Sequence, residues 1–330
     1  MANVTIIGGG VAGMAAAGVL NKRGHKVTLM EKEKEIGGHV AKWFNVFPDI
    51  TDASEIVDDL KKDLKGVNTK TNTNVKKIEK TGGKFKVEGA AADAVLIATG
   101  FEPFDATLKE EYGYGIYDNV ITSLELDEML KNGALKTKSG KTPKSVGLVH
   151  CVGSRDEKVN NNYCSRVCCT NAIKSGIEIK EHYKDTNVMC FYMDVRAYGR
   201  GYEELYRKSQ EELGVAFIRS RLSEANENAD KTLLLRVEDT LAGKPMKVTV
   251  DLLVLMVGMC PSVNASALKD SLGLEVGDDK FFTTKNKQSR NNESNVPGVF
   301  YAGTATGPKS IVESITDGRS AAAEIQSYLS

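Results

Sequence analysis

The first residues carry a glycine-rich turn between two apolar stretches, and this segment restricts the fold more than any other. The stretch "NVTIIGGGVAG" reads as a short buried strand that enters a Gly-x-Gly-x-x-Gly turn. An alanine-rich helix and a second strand, "KVTLMEKE", follow. Because strand, glycine turn, helix and strand make a βαβ unit, we predict an α/β chain built on doubly wound sheets.

The glycines of this turn have separate roles at a phosphate site. Gly8 permits the tight turn, Gly10 lets the backbone approach a pyrophosphate, and Gly13 lets the helix pack on the strand. The helix N-terminus offers free N–H groups and a positive dipole to an anion. Glu31 ends the second strand where a ribose-binding acid is expected, and an acid there argues against a 2′-phosphate. The alternative is a glycine-rich turn in an unrelated βαβ unit.

Three later segments resemble the FAD-dependent flavoproteins with two dinucleotide-binding domains, the pyridine nucleotide-disulfide oxidoreductase type. They are the glycine pair in "EIGGHV", the Ala-Thr-Gly turn in "LIATG", and the flavin-contacting strand and helix of "GVFYAGTATGPKS". The resemblance implies two Rossmann-like domains and bound FAD. The predicted cofactor-binding residues are Gly8, Gly10, Ala12, Gly13, Glu31, Lys32, Gly37, Gly38, His39, Val75, Thr99, Gly100, Gly303, Thr304, Gly307, Pro308, Lys309 and Ser310.

Three residues of this set have a second interpretation or depart from the family pattern. His39 faces the flavin or is a solvated loop histidine. Lys309 is our candidate catalytic residue, since a cation near flavin N1 or N5 stabilises the reduced anion; the alternative is an exposed lysine at a helix start. Thr304 replaces the family's usual Asp, which puts the carboxylate–ribityl bond in question.

A cluster of cysteines is the second informative feature. The spacing is C-x12-C-x3-C-C, and no C-x-x-C motif occurs. Four thiolates satisfy a [4Fe–4S] cluster, zinc accepts four cysteines too, and a disulfide is the redox alternative. Neighbouring cysteines diverge by about 100° in a helix, so both bind one group only at a helix start or in irregular backbone. The cysteines concerned are Cys151, Cys164, Cys168 and Cys169.

The cysteine cluster begins where a second nucleotide-binding turn is expected. "PKSVGLVHCVGSRDE" repeats the strand-to-turn pattern of the N-terminus, but Cys151 and Arg155 stand where the glycine fingerprint should be, and only Gly153 remains. We predict that the Rossmann unit persists and that ordinary NAD(P)H binding is lost. Asp194 ends the next strand, and we interpret it as a helix cap rather than a ribose-binding acid.

Several segments together resemble the A subunit of heterodisulfide reductases. They include "HCVGSRDE", "YCSRVCCTNAIK", "MDVRAYGRGYEELYRKSQEELG" and "AGTATGPKSIVESITDGRSAA", and the likeness spans nearly the whole chain. It implies FAD and a [4Fe–4S] cluster on the four cysteines. It also implies an electron-transferring homodimer with B- and C-type partner subunits that carry out the substrate chemistry.

The departures from that family indicate a compact form. No ferredoxin-type C-x2-C-x2-C-x3-C run is present, and "AKWFNVFPDITDAS" has no cysteine. The chain therefore resembles the A-like subunit of the sulfur-oxidising heterodisulfide-reductase-like complex, or the A subunit of a quinone-interacting oxidoreductase. Arg155 and Arg166 flank the thiolates and would offset the cluster's negative charge, or they form a subunit contact. The rival functions are an NAD(P)H-dependent flavin thiol/disulfide oxidoreductase and a non-catalytic zinc-binding scaffold.

The remaining predictions concern location and domain boundaries. Acidic and basic residues balance at 44 each, so no nucleic-acid or membrane partner is expected. No apolar run approaches the roughly 20 residues that span a bilayer, and no signal peptide is recognisable, so we predict a cytoplasmic protein. We place the FAD-binding domain at 1–105 plus 285–330, a connecting segment at 106–144, and the second Rossmann-like domain at 145–284.

Overall fold

The computed structural model describes all 330 residues, which divide into two compact units. Secondary-structure elements are numbered in chain order. The first unit comprises Met1–Lys42, Ala53–Glu102 and Cys260–Ser330, and the second comprises Trp43–Asp52 and Pro103–Met259.

These boundaries differ from the predicted ones at three places, for reasons of packing. Residues 43–52 lie in the second unit, where the Phe44 amide donates to Asp127 and the Asn45 side chain donates to Glu178. Residues 260–284 lie in the first unit, because Leu268 and Phe282 are buried in its core. Residues 106–144 lie in the second unit, because the strand at Val120–Thr122 pairs with that unit's central sheet.

The first unit is built on a five-stranded parallel sheet in the order β19-β9-β1-β2-β5. Its strands are apolar where they are buried on both faces, as in Ile6 and Leu96. The strands are β1 (Asn3–Ile7), β2 (Lys26–Met30), β5 (Asn68–Lys70), β9 (Ala94–Ile97) and β19 (Val299–Tyr301).

Helices and a small antiparallel sheet complete the first unit. The first and last helices of the chain contact each other closely, since a Cβ at Gly318 would lie 2.2 Å from the Ala12 carbonyl oxygen. The helices are α1 (Val11–Lys22), α2 (Ala53–Lys62), α6 (Ala265–Leu272) and α7 (Ile311–Tyr328). The antiparallel strands are β6 (Ile78–Thr81), β7 (Lys84–Val87) and β8 (Ala90–Ala92).

The second unit contains a seven-stranded sheet in the order β11-β17-β12-β13-β14-β15-β16. The first five strands are parallel, and β14, β15 and β16 form an antiparallel meander. The strands are β11 (Val120–Thr122), β12 (Ser145–Val152), β13 (Asn187–Tyr192), β14 (Ala216–Glu227), β15 (Leu233–Asp239), β16 (Lys244–Val250) and β17 (Leu252–Val257).

Three helices and two short strand pairs account for the rest. The helices are α3 (Ser123–Lys131), α4 (Cys168–His182) and α5 (Tyr202–Arg207), which continues as a π-helical turn, Lys208–Glu212. The pairs are β3 (Asn45–Val46) with β4 (Thr51–Asp52), and β10 (Phe101–Pro103) with β18 (Met259–Pro261). None of the seven α-helices is both long and apolar enough to cross a membrane.

Helix α4 carries buried charge along its length. Lys174 is 2% exposed, and its Nζ lies 2.8 Å from Asp127 Oδ1 and 3.2 Å from Glu178 Oε2. Asn45 donates its amide to Glu178 at 3.0 Å. Burial raises the pKa of Glu178 above its ordinary value, although Lys174 and Asn45 oppose the shift. The helix that begins at the cysteines is thus fixed by a buried ion network.

Candidate flavin and cysteine sites

The glycine turn after β1 has the geometry of a phosphate site. Gly8 has a φ of +111°, and a Cβ there would lie 2.2 Å from the Ala98 carbonyl oxygen. A Cβ on Gly13 would lie 1.9 Å from the Gly8 carbonyl oxygen. A Cβ on Gly10, in contrast, would meet no atom within 4 Å. Two glycines are therefore required by packing, while the space beside Gly10 is open, as the predicted pyrophosphate contact requires.

Glu31 is tied to this turn by its carboxylate. It is buried, its Oε2 accepts the Gly9 amide at 2.7 Å, and its Oε1 accepts the Glu33 amide at 2.9 Å. The second glycine pair lies alongside, since Gly37 donates its amide to the Gly9 carbonyl at 2.8 Å. A Cβ on Gly38 would lie 3.1 Å from the Gly10 Cα.

The two other predicted flavin segments meet near the same turn. A Cβ on Gly303 would lie 2.8 Å from the Ala12 Cβ, so the C-terminal turn contacts the start of α1. A Cβ on Gly100 would lie 4.0 Å from Thr304 Oγ1. The Thr99 hydroxyl is buried without a hydrogen-bond partner. A buried hydroxyl of this kind fits a site that a polar cofactor completes.

The remaining residues of the predicted set have protein partners. His39 Nε2 lies 2.9 Å from the Phe101 carbonyl oxygen, and the two rings are 4.5 Å apart. Lys32 pairs with Glu102 at 2.9 Å. Val75 is buried in the core of the first unit. Their roles at the cofactor stay predictions, because these contacts neither require nor exclude a flavin.

Helix α7 begins with a reciprocal cap between Ser310 and Glu313. The Ser310 hydroxyl accepts the Glu313 amide at 3.2 Å, and the Glu313 carboxylate accepts the Ser310 amide at 2.8 Å. Gly307 and Pro308 lead into this N-terminus, and a Cβ on Gly307 would meet no atom within 4 Å. The open backbone and the helix dipole together favour an anionic or polar ligand.

Lys309 is not a free surface lysine. Its Nζ lies 3.0 Å from Asp317 Oδ2, donates to the Gly303 carbonyl at 2.8 Å and contacts Thr306 Oγ1. Asp317 Oδ2 also accepts the Gly303 amide at 2.8 Å. Asp317 thus binds the turn at Gly303, which is followed by Thr304 in place of the family's usual Asp. Sequence analysis missed it, and the available signal was an acid on the last helix.

Three of the four clustered cysteines meet at the start of α4. Cys151, Cys168 and Cys169 are buried, and the Cys151 and Cys168 sulfurs are 3.6 Å apart. The helix begins at Cys168, as two neighbouring ligands require. Cys151 has a backbone φ of +61°, which is uncommon for a residue other than glycine. The backbone is therefore irregular on the strand side of the cluster.

Cys164 stands apart from the other three. It is half-buried, and its sulfur accepts the Arg166 amide at 3.3 Å. All six cysteines are free thiols, and no group of three or more His, Cys, Asp or Glu side chains is arranged to hold a metal ion. Thiol groups from a strand end and a helix start are donors of the type that iron–sulfur and zinc sites use, and the predicted cluster stays a prediction.

Mutual contacts and nearby cations shift the thiol pKa values. A hydrogen bond from Cys168 lowers the pKa of Cys151, and Arg155 adds to this effect. Contact with Cys168 lowers the pKa of Cys169 to about 4, with a further contribution from His150. The pKa of Cys168 rises correspondingly. The Cys169 sulfur thus favours the thiolate, the form that binds metal.

Arg155 lies at the cluster, and its contacts correct one prediction. Its Nη2 pairs with Asp194 Oδ2 at 2.8 Å, and its Nη1 is buried without a partner. Interpreting Asp194 as a helix cap was wrong, since the helix α5 starts after Gly201 and Asp194 instead receives Arg155. Arg166 donates to the Tyr198 hydroxyl at 2.8 Å, beside an exposed loop.

His150 is a second residue that sequence analysis missed. It precedes Cys151 in β12 and is 6% exposed. Neither ring nitrogen makes a hydrogen bond of normal geometry, although the ring is close enough to Cys169 to help lower its pKa. The only signal in the sequence was a histidine directly beside a cluster cysteine.

The fold and the flavin site define the class of this protein. Residues 2–155 and 177–319 match the family described as Pyridine nucleotide-disulphide oxidoreductase. The chain belongs to this family, and the predicted fold class is confirmed. Thioredoxin reductases share the fold: that of Lactococcus lactis superposes with a TM-score of 0.71 at 19% identity, covering 100% of this chain and 99% of its own. That of T. acidophilum gives 0.68 at 21%, covering 99% of each.

Sequence relatives give a finer likeness. The chain is 34% identical to the iron-sulfur A subunit of the CoB--CoM heterodisulfide reductase of Methanocaldococcus jannaschii, over 97% of this chain and 63% of that protein. It is 43% identical to the A subunit of the H(2):CoB-CoM heterodisulfide,ferredoxin reductase of Methanothermobacter marburgensis, over 69% of this chain and 36% of that protein. The predicted resemblance and the oxidoreductase role with FAD are confirmed. The chain spans under two thirds of either relative.

Proposed function

We propose that this chain is an electron-transfer subunit of a heterodisulfide-reductase-like complex, holding FAD in the first unit and a [4Fe–4S] cluster in the second. The observation that carries the proposal is the meeting of Cys151, Cys168 and Cys169 at the start of α4. It occurs in a chain similar to the iron-sulfur A subunits of heterodisulfide reductases. When bound, the flavin supplies two-electron chemistry and the cluster supplies one-electron chemistry.

The first unit provides the flavin contacts. Gly10 and the N-terminus of α1 would receive the pyrophosphate, and Glu31 stands where the ribose is bound. The Thr99 hydroxyl remains available to a polar atom of the cofactor, whereas the Ser310 and Glu313 amides at the start of α7 are capped within the helix. Lys309 contributes positive charge at the C-terminal turn, oriented by Asp317.

The second unit provides the cluster contacts. Cys151, Cys168 and Cys169 are already together, and Cys164 would complete the set when its sulfur leaves the Arg166 amide. Arg155 stabilises negative charge at this site, since its guanidinium already lowers the pKa of Cys151. A cation near the sulfurs raises the reduction potential of an anionic cluster.

The proposed partners follow from the relatives. We propose B- and C-type subunits as partners, a homodimer of this chain, and a cytoplasmic complex. We also propose that the chain acts as a simple electron relay in sulfur oxidation, as its resemblance to the A-like subunit of the sulfur-oxidising complex suggests.

Metal analysis of anaerobically purified protein tests the proposal. We expect about four iron and four sulfide ions per chain, and a reducible EPR signal after dithionite. Cys168→Ser should remove iron and the absorbance near about 400 nm that a [4Fe–4S] cluster gives, while FAD stays bound. Cys190→Ser is the matched control, because Cys190 is buried in β13. Iron-free wild-type protein with bound FAD would overturn the cluster assignment.

One observation favours a second candidate, a flavin thiol oxidoreductase. The Cys151 and Cys168 sulfurs, 3.6 Å apart, are neighbours that a modest movement would join in a disulfide. This candidate predicts iron-free protein in which oxidation removes two titratable thiols and dithiothreitol restores them. Stoichiometric iron with no change in thiol count excludes it.

A further inference from the structure

A buried group of polar side chains lies behind the C-terminal turn of the first unit. Asp317 on α7 is 7% exposed, and its Oδ2 accepts the Gly303 amide at 2.8 Å and pairs with Lys309 Nζ at 3.0 Å. Its other oxygen, Oδ1, accepts a hydrogen bond from the Asn292 side chain at 2.8 Å. Every one of these partners is a donor, which is the arrangement that an ionised carboxylate requires.

Asn292 fixes the orientation of that carboxylate. It is 1% exposed, and its side-chain nitrogen also donates to the Tyr301 carbonyl at 3.0 Å. Because both of these partners are oxygens that accept, only one orientation of the amide satisfies them, with its N–H groups toward Asp317. The Asn292 Oδ1 is buried without a partner. The amide is therefore placed for its N–H groups and not for its oxygen.

Lys309 has two anchors besides the carboxylate. Its Nζ donates to the Gly303 carbonyl at 2.8 Å and contacts Thr306 Oγ1. The lysine side chain is only 21% exposed, so solvent screens its charge incompletely. If the charge of Asp317 were removed, the ammonium group would stay in the turn with its charge uncompensated. The carboxylate thus offsets a cation that the turn itself holds in place.

The turn that holds this ion pair belongs to the predicted flavin site. A Cβ on Gly303 would lie 2.8 Å from the Ala12 Cβ, at the start of the helix that follows the glycine turn. A cation near a flavin stabilises its reduced, anionic form, and a carboxylate behind that cation opposes the effect. The family's usual acid is Thr304 here, so the negative charge comes from α7 and not from the turn.

We propose that Asp317, oriented by Asn292, compensates the charge of Lys309 and thereby lowers the reduction potential of the bound flavin. This inference rests on the proposed function in one respect only, the binding of FAD in the first unit, and it does not depend on the iron–sulfur cluster. Asn292 and Asp317 are positioning residues, because they act on the flavin through Lys309.

Three variants of the ion pair test the compensation. Asp317→Asn keeps the size of the side chain and leaves Lys309 uncompensated. At the wild-type midpoint potential, the reduced-to-oxidised ratio of the flavin should then rise at least about tenfold, which is about 30 mV for a two-electron couple. Lys309→Met should lower this ratio by a similar factor. The double variant carries neither charge and should return to within about threefold of wild type.

The measurement is an anaerobic redox titration followed at the flavin absorbance, with FAD content determined for each variant. Asp63→Asn is the matched control, because Asp63 forms a Lys–Asp pair with Lys22 on the surface of the same unit. Its flavin potential should equal that of wild type. A purely structural role of Asp317 would not give opposite shifts in the two single variants, nor their cancellation in the double variant.

The outcomes distinguish this inference from the proposed function. Wild-type protein that binds no FAD defeats the proposed function. FAD-loaded Asp317→Asn with an unchanged or lower potential defeats the inference alone. A double variant shifted as far as either single variant also contradicts it, because the substitutions would then act by disturbing the turn. Should Asp317→Asn lose FAD, Lys309→Met decides: a flavin that is no harder to reduce than in wild type overturns the inference.

Discussion

The glycine turn after β1 and the end of β12 differ in what fills the space beside the backbone. After β1, Gly8 takes a positive φ and Gly10 leaves open space. At the end of β12, Cys151 takes the positive φ, and a Cβ on Gly153 would lie 2.0 Å from the Phe104 ring. The first turn exposes backbone and the second is filled by side chains. One turn therefore suits a phosphate and the other a group bound by side chains.

The helices after these turns differ in the same way. Helix α1 is buried through small residues, and it contains no buried charge. Helix α4 has Lys174 and Glu178 almost fully buried. A helix that presents its N–H groups to a phosphate needs only close packing against its neighbours. A helix whose first residues are ligands must also be held at one rotation about its own axis. We infer that the buried ion network supplies this fixation.

The largest expected effect is on stability, at Lys174. Lys174→Met leaves Asp127 and Glu178 buried without their cation, so the free energy of unfolding should fall by about 3–5 kcal/mol. Lys208→Met is the matched control, because its partner Glu181 is on the surface, and it should cost less than about 1 kcal/mol. Urea unfolding followed by circular dichroism measures both. Equal losses would mean that α4 does not depend on its buried charges.

The glycine turn gives the next effect, in FAD affinity. Gly10→Ala places a methyl group in open space and should weaken FAD binding about tenfold to a hundredfold, as for a lost charged hydrogen bond, while the apoprotein stays folded. Gly13→Ala should destabilise the apoprotein as well, because its methyl would overlap the Gly8 carbonyl. Equilibrium titration with FAD and apoprotein melting distinguish them. Unchanged affinity in Gly10→Ala would place the pyrophosphate elsewhere.

Both segments could be located from the sequence, because the residues that form each of them are close together along the chain. Gly8, Gly10 and Cys151 lie within a few residues of the strand that positions them, so spacing alone reveals them. Asp317 acts through contacts with Lys309 and Gly303 that only the fold creates. Asp194 shows the same limit: its position after a strand suggested a cap, but its partner Arg155 is 39 residues away in sequence.

Glu178 provides a smaller, pH-dependent effect. Burial raises its pKa in the folded state, so its contribution to stability is complete below about pH 4.5, the unfolded pKa, and is lost as the pH rises through the folded pKa. Glu178→Gln does not titrate and still accepts a hydrogen bond from Asn45. It should therefore gain stability relative to wild type between pH 4.5 and 7.5. A variant less stable than wild type at pH 7.5 would show that pairing with Lys174 outweighs burial.

The smallest expected effect is on reduction of the flavin by NADH. It tests whether the filled segment at the end of β12 has lost the nucleotide binding that the open turn after β1 permits. A dinucleotide needs open backbone at the turn after β12, but Phe104 and Arg155 occupy that space and Ser154 packs on Gly258. Stopped-flow mixing of the FAD-loaded protein with NADH should therefore bleach the flavin no faster than buffer does, whereas dithionite should reduce it fully. Rapid bleaching that saturates with NADH would show that a filled turn still binds the nucleotide. Both segments would then bind a dinucleotide despite their different sequences. The cysteines could no longer be explained as the replacement of a nucleotide-binding site.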